Sequence, residues 1–170
     1  MSDERKKYKT KTKVLNPKKS IDRANSKPYE SNSWSLEVAE ERFSWSTRMD
    51  RLSIIRAGLP YGSIEVISSR TNLPIKQVLS LLGLAQTTYN KRKKEQELLP
   101  SRDSELVLVL TELLDFGLEV FNQEKEKFQL WQKKPNTSLG GATPNSLFDS
   151  LTGIQEVRNS LNRLEYGNLA

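Results

Sequence analysis

Up to residue 33 the chain offers only seven residues of the set Ala, Val, Ile, Leu, Met, Phe, Trp, Tyr and Cys; from Trp34 onward apolar side chains recur at helical spacing almost to the end. That spacing marks helices with one buried face. Leu36, Ala39, Phe43 and the stretch 45–49 predict one or two early helices, closed by Leu52 and Ile55. Ile64 and Ile67 mark a helix over about 62–71. Pro74 opens another, with Ile75, Val78, Leu79 and Leu82 inward and Gly83 as its stop. The next begins at Gln86 or Thr87 and runs through Tyr89 to Glu97. Ser101 caps a long helix over about 102–121. Residues 106–110 have the composition of a strand, but the i, i+3, i+4 pattern continues through Leu113, Leu114 and Phe121 and favours a buried helix. Phe128 and Trp131 share a stripe over 123–134. The last helix covers 152–166: Thr152 and Gln155 have capping-box spacing, Ile154, Val157, Leu161 and Leu164 form the apolar face, and Gly167 supplies the stop. No segment reads as a convincing strand, so the predicted fold class is all-α.

Charge divides the chain more sharply than composition does. The formal net charge is +6, yet residues 34–170 carry 17 charges of each sign, so the whole excess lies in residues 1–33. That segment, with ten basic residues, Pro17 and Pro28, buries too little apolar surface to offset its ordering entropy and is expected to be a disordered basic arm. Two readings stand for it: a nucleic-acid-binding extension acting by counterion release, or a solubilising leader.

The absences narrow the chemistry. Without Cys there is no disulfide, thiolate metal site or cysteine nucleophile, and without His there is no imidazole base or common metal ligand. No cofactor, metal or catalytic residue is expected, since the carboxylates and lysines are scattered. No apolar run approaches the roughly 18 residues of a membrane span, so a cytoplasmic protein without membrane contact is expected.

Residues 62–97 have the layout of a helix-turn-helix: helix, tight connection at 72–74, short helix ending in Leu82-Gly83-Leu84, then a helix carrying Gln86, Thr87, Thr88, Asn90, Lys91, Arg92, Lys93 and Lys94. Gly83 permits the turn and Leu84 fills the angle between the helices. The small hydroxyl residues can approach bases and phosphates, and the four consecutive cations can neutralise backbone, so these eight are the candidate DNA-binding residues. The competing reading is a helix hairpin with a solvated charge run.

The C-terminal third carries Trp131, Pro135-Asn136, Leu139-Gly140-Gly141-Ala142-Thr143-Pro144, Thr152-Gly153 and a closing Leu161-Asn162-Arg163-Leu164-Glu165-Tyr166-Gly167. From the residues alone, Gly140-Gly141 make a tight loop that ends at a helix start, with Thr143 as N-cap and Pro144 at the first position. In order and spacing this third resembles the toxin-binding domain of the Xre/MbcA/ParS antitoxin family, and the helix-turn-helix with its following long helix resembles that family's N-terminal domain. The resemblance spans roughly 52–170. The basic arm over 1–33 lies outside it; for the rest it implies a helix-turn-helix bundle over 34–121 and a small helical toxin-binding domain over 122–170. It further implies an antitoxin, acting as a homodimer within a larger complex, that sterically blocks a RES-like toxin targeting NAD and represses its own operon at operator DNA. The toxin-binding residues it implies are Leu139, Gly140, Gly141, Thr143, Pro144, Arg163, Glu165, Tyr166, Gly167 and Asn168. A stand-alone transcription regulator whose C-terminal domain only dimerises is the alternative.

Overall fold

The computed structural model describes residues 33–167. The expectations for the basic arm and for Asn168 with the rest of the tail lie outside these residues. The described chain is predominantly helical and opens on a β-hairpin, β1 (Trp34–Val38) and β2 (Glu41–Trp45). There follow α1 (Arg48–Ala57), α2 (Ser63–Thr71), α3 (Ile75–Leu82), α4 (Gln86–Lys94), α5 (Ser101–Val120) and α6 (Lys125–Lys133). Two 3-10 turns, Thr137–Leu139 and Pro144–Leu147, lead to α7 (Leu151–Tyr166). No helix among the described residues is long and apolar enough to cross a membrane.

The hairpin corrects the expectation of a helix through Leu36, Ala39 and Phe43 and of a body without strands, while α1 takes up the expected helix from Arg48 through Leu52 and Ile55. Its strands pair antiparallel in the register Trp34–Trp45, Leu36–Phe43 and Val38–Glu41. Leu36, Val38 and Trp45 are buried, while Ser35, Glu37, Arg42 and Ser44 occupy the other face, where Arg42 donates to Ser35 Oγ at 3.4 Å. The inward residues alternate with polar ones, which is the period of a half-buried strand. β1 packs against α5, and the buried Trp45 stacks with the half-buried Trp34, ring centroids 6.4 Å apart.

Buried residues surround α5 on nearly every side, from Asp103 to Gly117. It is therefore the central helix, packed by β1, α1, α2, α6 and α7. Arg70 of α2 pairs with Asp115 of α5. Leu59 N–H donates to Ser104 Oγ at 3.0 Å, and Leu99 N–H donates to the Leu59 carbonyl at 2.7 Å, so the chain entering α5 is tied to the end of α1. Phe148, 1% exposed, shares a small cavity with Ile67, Val78, Leu82, Leu106, Val107 and Leu110. One core thus runs from the hairpin to α7.

Two caps differ from the sequence reading. Ser150, in extended conformation, caps α7 by accepting from Gly153 N–H at 3.1 Å, so the helix begins one residue before Thr152, which is exposed in its first turn. Pro100 precedes α5 and Ser101 is its first residue. At α1 an unforeseen capping box forms: Thr47 Oγ1 accepts from Asp50 N–H at 3.1 Å and Asp50 Oδ2 accepts from Thr47 N–H at 2.9 Å.

Among the buried charged groups is Glu112 of α5. Its carboxylate accepts from Trp45 Nε1 at 2.8 Å and from Arg51 Nη1 at 2.8 Å, and Arg158 Nη2 stands 3.9 Å away. Four elements, β2, α1, α5 and α7, meet at that one carboxylate.

Candidate functional sites: the exposed helix and the C-terminal loop

α3 ends at Gly83, whose φ of +68° lets the chain turn while Leu84 N–H donates to the Leu79 carbonyl at 2.8 Å. Leu84 then packs against the core, as the turn requires. α4 follows and buries a single residue, Tyr89. The helical period of 100° per residue places Thr87, Lys91 and Lys94 opposite Tyr89 and Asn90 at its flank, and all four are exposed. Gln86 and Thr88 are half-buried, and Gln86 Nε2 donates to Asn90 Oδ1 at 3.1 Å.

The four cations differ in their surroundings. Arg92 Nη1 lies 3.1 Å from Glu97 Oε2, and Lys93 pairs with Glu65 of α2 while its ammonium sits 5.9 Å from the Tyr89 ring centroid. The hydrogen bond from Lys93 holds the Glu65 carboxyl below its ordinary pKa; burial, then the Glu65 charge, push the Tyr89 hydroxyl up. Arg92 and Lys93 thus flank the inward side of α4 and are engaged within the chain. Lys91 and Lys94 point outward.

In the C-terminal third, the segment 136–142 closes on itself. Asn136 N–H donates to the Ala142 carbonyl at 3.0 Å, and the Asn136 carbonyl accepts from Leu139 N–H at 3.0 Å and Gly141 N–H at 2.9 Å. Asn136 Oδ1 accepts from Ser138 N–H at 2.9 Å. Gly140 and Gly141 adopt φ of +65° and +86°, a region that costs a side-chain-bearing residue energy, and both are exposed. Three contacts clip the loop to α7: the Ser138 and Ser160 hydroxyls stand 2.7 Å apart, Asn136 Nδ2 donates to Ser160 Oγ at 3.4 Å, and Arg163 Nη1 donates to the Ser138 carbonyl at 3.4 Å.

Around this loop, Leu139 is half-buried against the core, Thr143 is half-buried at the start of the second 3-10 turn, and Pro144 is buried. The Thr143 hydroxyl makes no capping bond; its carbonyl accepts from Ser146. Arg163 is exposed, Glu165 half-buried, and Tyr166 is 71% exposed beside the 45% exposed Leu164. Gly167 caps α7 with φ of +63°. The geometry therefore gathers Leu139, Gly140, Gly141 and Arg163 around one loop and sets Tyr166 and Gly167 at the helix end. Asn136, Ser138 and Ser160 were not among the candidates although they hold the loop. Ser160 could have been found as a polar residue interrupting the stripe of Ile154, Val157 and Leu161.

The two regions coincide with two matches to known families. Residues 50–110 match the antitoxin Xre-like helix-turn-helix domain. Residues 117–167 match the antitoxin Xre/MbcA/ParS C-terminal toxin-binding domain. Among curated proteins, an antitoxin Xre of Photorhabdus laumondii subsp. laumondii is 26% identical over 68% of this chain and 78% of its own length. An antitoxin Xre of Yersinia enterocolitica is 26% identical over 66% of this chain and 76% of its own. A Prs ADP-ribosylating antitoxin of a Sphingobium species is 27% identical over 72% and 82%. The crystal structure of the M. tuberculosis MbcT-MbcA toxin-antitoxin complex contains a chain that aligns with a TM-score of 0.48 and 16% identity, over 65% of this chain and 96% of that one. With an Xre-like helix-turn-helix domain followed by an Xre/MbcA/ParS toxin-binding domain, the chain belongs to the Xre/MbcA/ParS antitoxin family, an antitoxin of a toxin–antitoxin system.

Proposed function

We propose that this antitoxin neutralises a RES-like toxin that consumes NAD or transfers ADP-ribose, and that it does so by occlusion rather than catalysis. The loop 136–144 and the end of α7 seat on the toxin, and the tail from Tyr166 obstructs the mouth of its NAD pocket. The observation that carries this reading is the exposed Gly140-Gly141 loop locked at Ser160 and Arg163 to the helix that ends in the exposed Tyr166, inside the segment that matches a toxin-binding domain. The name of the Sphingobium relative, which joins an antitoxin to ADP-ribosylation, supports the choice of toxin chemistry. In the same proposal, residues 34–121 and 122–170 act as DNA-binding and toxin-binding domains of a cytoplasmic homodimer.

The test uses cells expressing the neighbouring candidate toxin, with NAD level and growth as readouts. Wild-type chain should hold both at the level of toxin-free cells. Removing 166–170 should leave the antitoxin folded and toxin-bound while NAD falls to the level without antitoxin. Gly141→Val, a β-branched residue forced to positive φ, should weaken the complex itself. Equal protection by the truncated chain would end the occlusion mechanism. Failure of the wild-type chain to associate with the toxin would favour the stand-alone regulator.

Operator binding is assigned to α4, with the basic residues 1–33 running along the nucleic acid. Thr87, Asn90, Lys91 and Lys94 carry the contact, because Arg92 and Lys93 are engaged with Glu97 and Glu65. Replacing Lys91 and Lys94 by Ala should weaken binding across sequences and flatten the salt dependence by roughly 0.9 for each phosphate no longer neutralised. Replacing Thr87 should shift sequence preference instead. Gel shifts at several salt concentrations measure both; an unchanged slope in the double variant would remove α4 from the interface.

A further inference from the structure

A cleft of about 380 Å³ opens between the hairpin, the start of α1, α5 and α7, lined by Trp34, Arg48, Arg51, Val109, Glu112 and Arg158 among others. It shares no residue with α4 or with the 136–144 loop. Its volume falls within the roughly 300–1,000 Å³ of small-molecule sites.

The charge inside it does not balance. Three guanidinium groups line the cleft against one carboxylate, Glu112, and that carboxylate is already engaged by Trp45 and Arg51 at 2.8 Å each. Arg158 stands at 3.9 Å from it, beyond hydrogen-bond reach, and its guanidinium rests 5.5 Å from the Phe116 ring centroid. Burial disfavours its charged form; Glu112 offsets this in part and the Arg51 charge adds to it. Arginine nonetheless stays protonated. Arg48 is exposed at the rim, in the first turn of α1. A partly buried cation whose one carboxylate partner among the described residues is shared is a costly arrangement unless an anion completes it. Trp34, half-buried at one wall, adds an aromatic surface of the kind on which flat rings stack.

We propose that this cleft binds a small phosphate-bearing ligand of the nucleotide type, its phosphate between Arg48, Arg51 and Arg158 and its ring against Trp34. Guanidinium forks match phosphate oxygens two at a time, which distinguishes this anion from chloride. The Ser46 and Thr47 side chains on the same wall serve the α1 cap through Asp50 and are not needed for the phosphate.

The experiment titrates the full chain with adenosine monophosphate, inorganic phosphate and adenosine at low salt, by calorimetry and by tryptophan fluorescence. Adenosine monophosphate should bind one per chain, inorganic phosphate more weakly, and adenosine without saturation. Arg48→Gln, which alters no ion pair of the described residues, should weaken nucleotide binding at least about tenfold with unchanged thermal stability. Arg158→Gln should abolish it. Should Arg158→Gln unfold the chain, the Arg48 variant decides alone. The proposal is overturned if neither phosphate compound saturates by about 10 mM, or if Arg48→Gln binds like the wild type. It is equally overturned if duplex DNA, and not the nucleotide, is the ligand that the Arg48 change weakens.

Discussion

Replacing Glu112 by Ala should lower the stability of the chain by about 3–5 kcal/mol, because the change removes one partner of a buried ion pair and leaves the other charges in place. Arg51 and Arg158 have side chains only 22% and 27% exposed, so water does little to compensate them. Trp45, 2% exposed, loses the acceptor of its indole N–H at the same time. For a chain of this length the loss corresponds to a melting-temperature drop on the order of 10 °C. Glu112→Gln should fall between wild type and Ala, since an amide oxygen still accepts from Trp45 and Arg51 but carries no charge. Thermal denaturation of the three proteins tests this. A drop smaller than about 1 kcal/mol for the Ala variant would mean that the hairpin and α7 are held to α5 by apolar packing alone.

Gly153→Ala should destabilise the chain although helix propensity argues the reverse. In an exposed helix the change would add roughly 1 kcal/mol of stability. Here a Cβ at position 153 would lie 2.1 Å from the Leu147 carbonyl oxygen and 3.0 Å from its carbon, both backbone atoms. No rotamer relieves that overlap, so either the 3-10 turn or the start of α7 must move. Overpacking of this kind costs typically 1–3 kcal/mol and outweighs the propensity gain. Chemical denaturation gives the sign: any increase in stability would show that the joint between the turn and α7 yields without strain.

Helices α2, α3, α5 and α7 were legible from apolar spacing, within a residue or two at their ends, because each buries a single face or, for α5, nearly all of them; α4, which buries only Tyr89, ends at Lys94, three residues before the expected Glu97. The helix-turn-helix was legible because Gly83 and Leu84 are required by the turn itself. The hairpin was not, although Trp34, Leu36 and Val38 alternate as a strand should. Its turn lacks the usual Gly or Asn: Ala39 takes φ of +54°, which its sequence does not announce. Glu112 sits in the middle of an apolar helix, and nothing nearby in the chain says that Trp45 and Arg51, 67 and 61 residues earlier, will meet it. The same holds for Lys93, whose partner Glu65 is 28 residues away, so four adjacent cations looked equivalent when two of them are engaged. The C-terminal loop was legible as a tight Gly-Gly turn, but a toxin-binding role for it came only from family resemblance. Its geometry depends on Ser138 and Ser160, common residue types that carry no signal by themselves.

The way the 136–142 loop is wired has a kinetic consequence. Its amides and carbonyls are spent on one another, and Ser160 and Arg163 fix it to a helix, so its conformational freedom is surrendered when the chain folds rather than when a partner arrives. With the loop as the proposed toxin-binding surface, a surface ordered in advance should meet its partner as a rigid body: association should proceed in a single phase, and changes within the loop should shorten the lifetime of the complex more than they slow its formation.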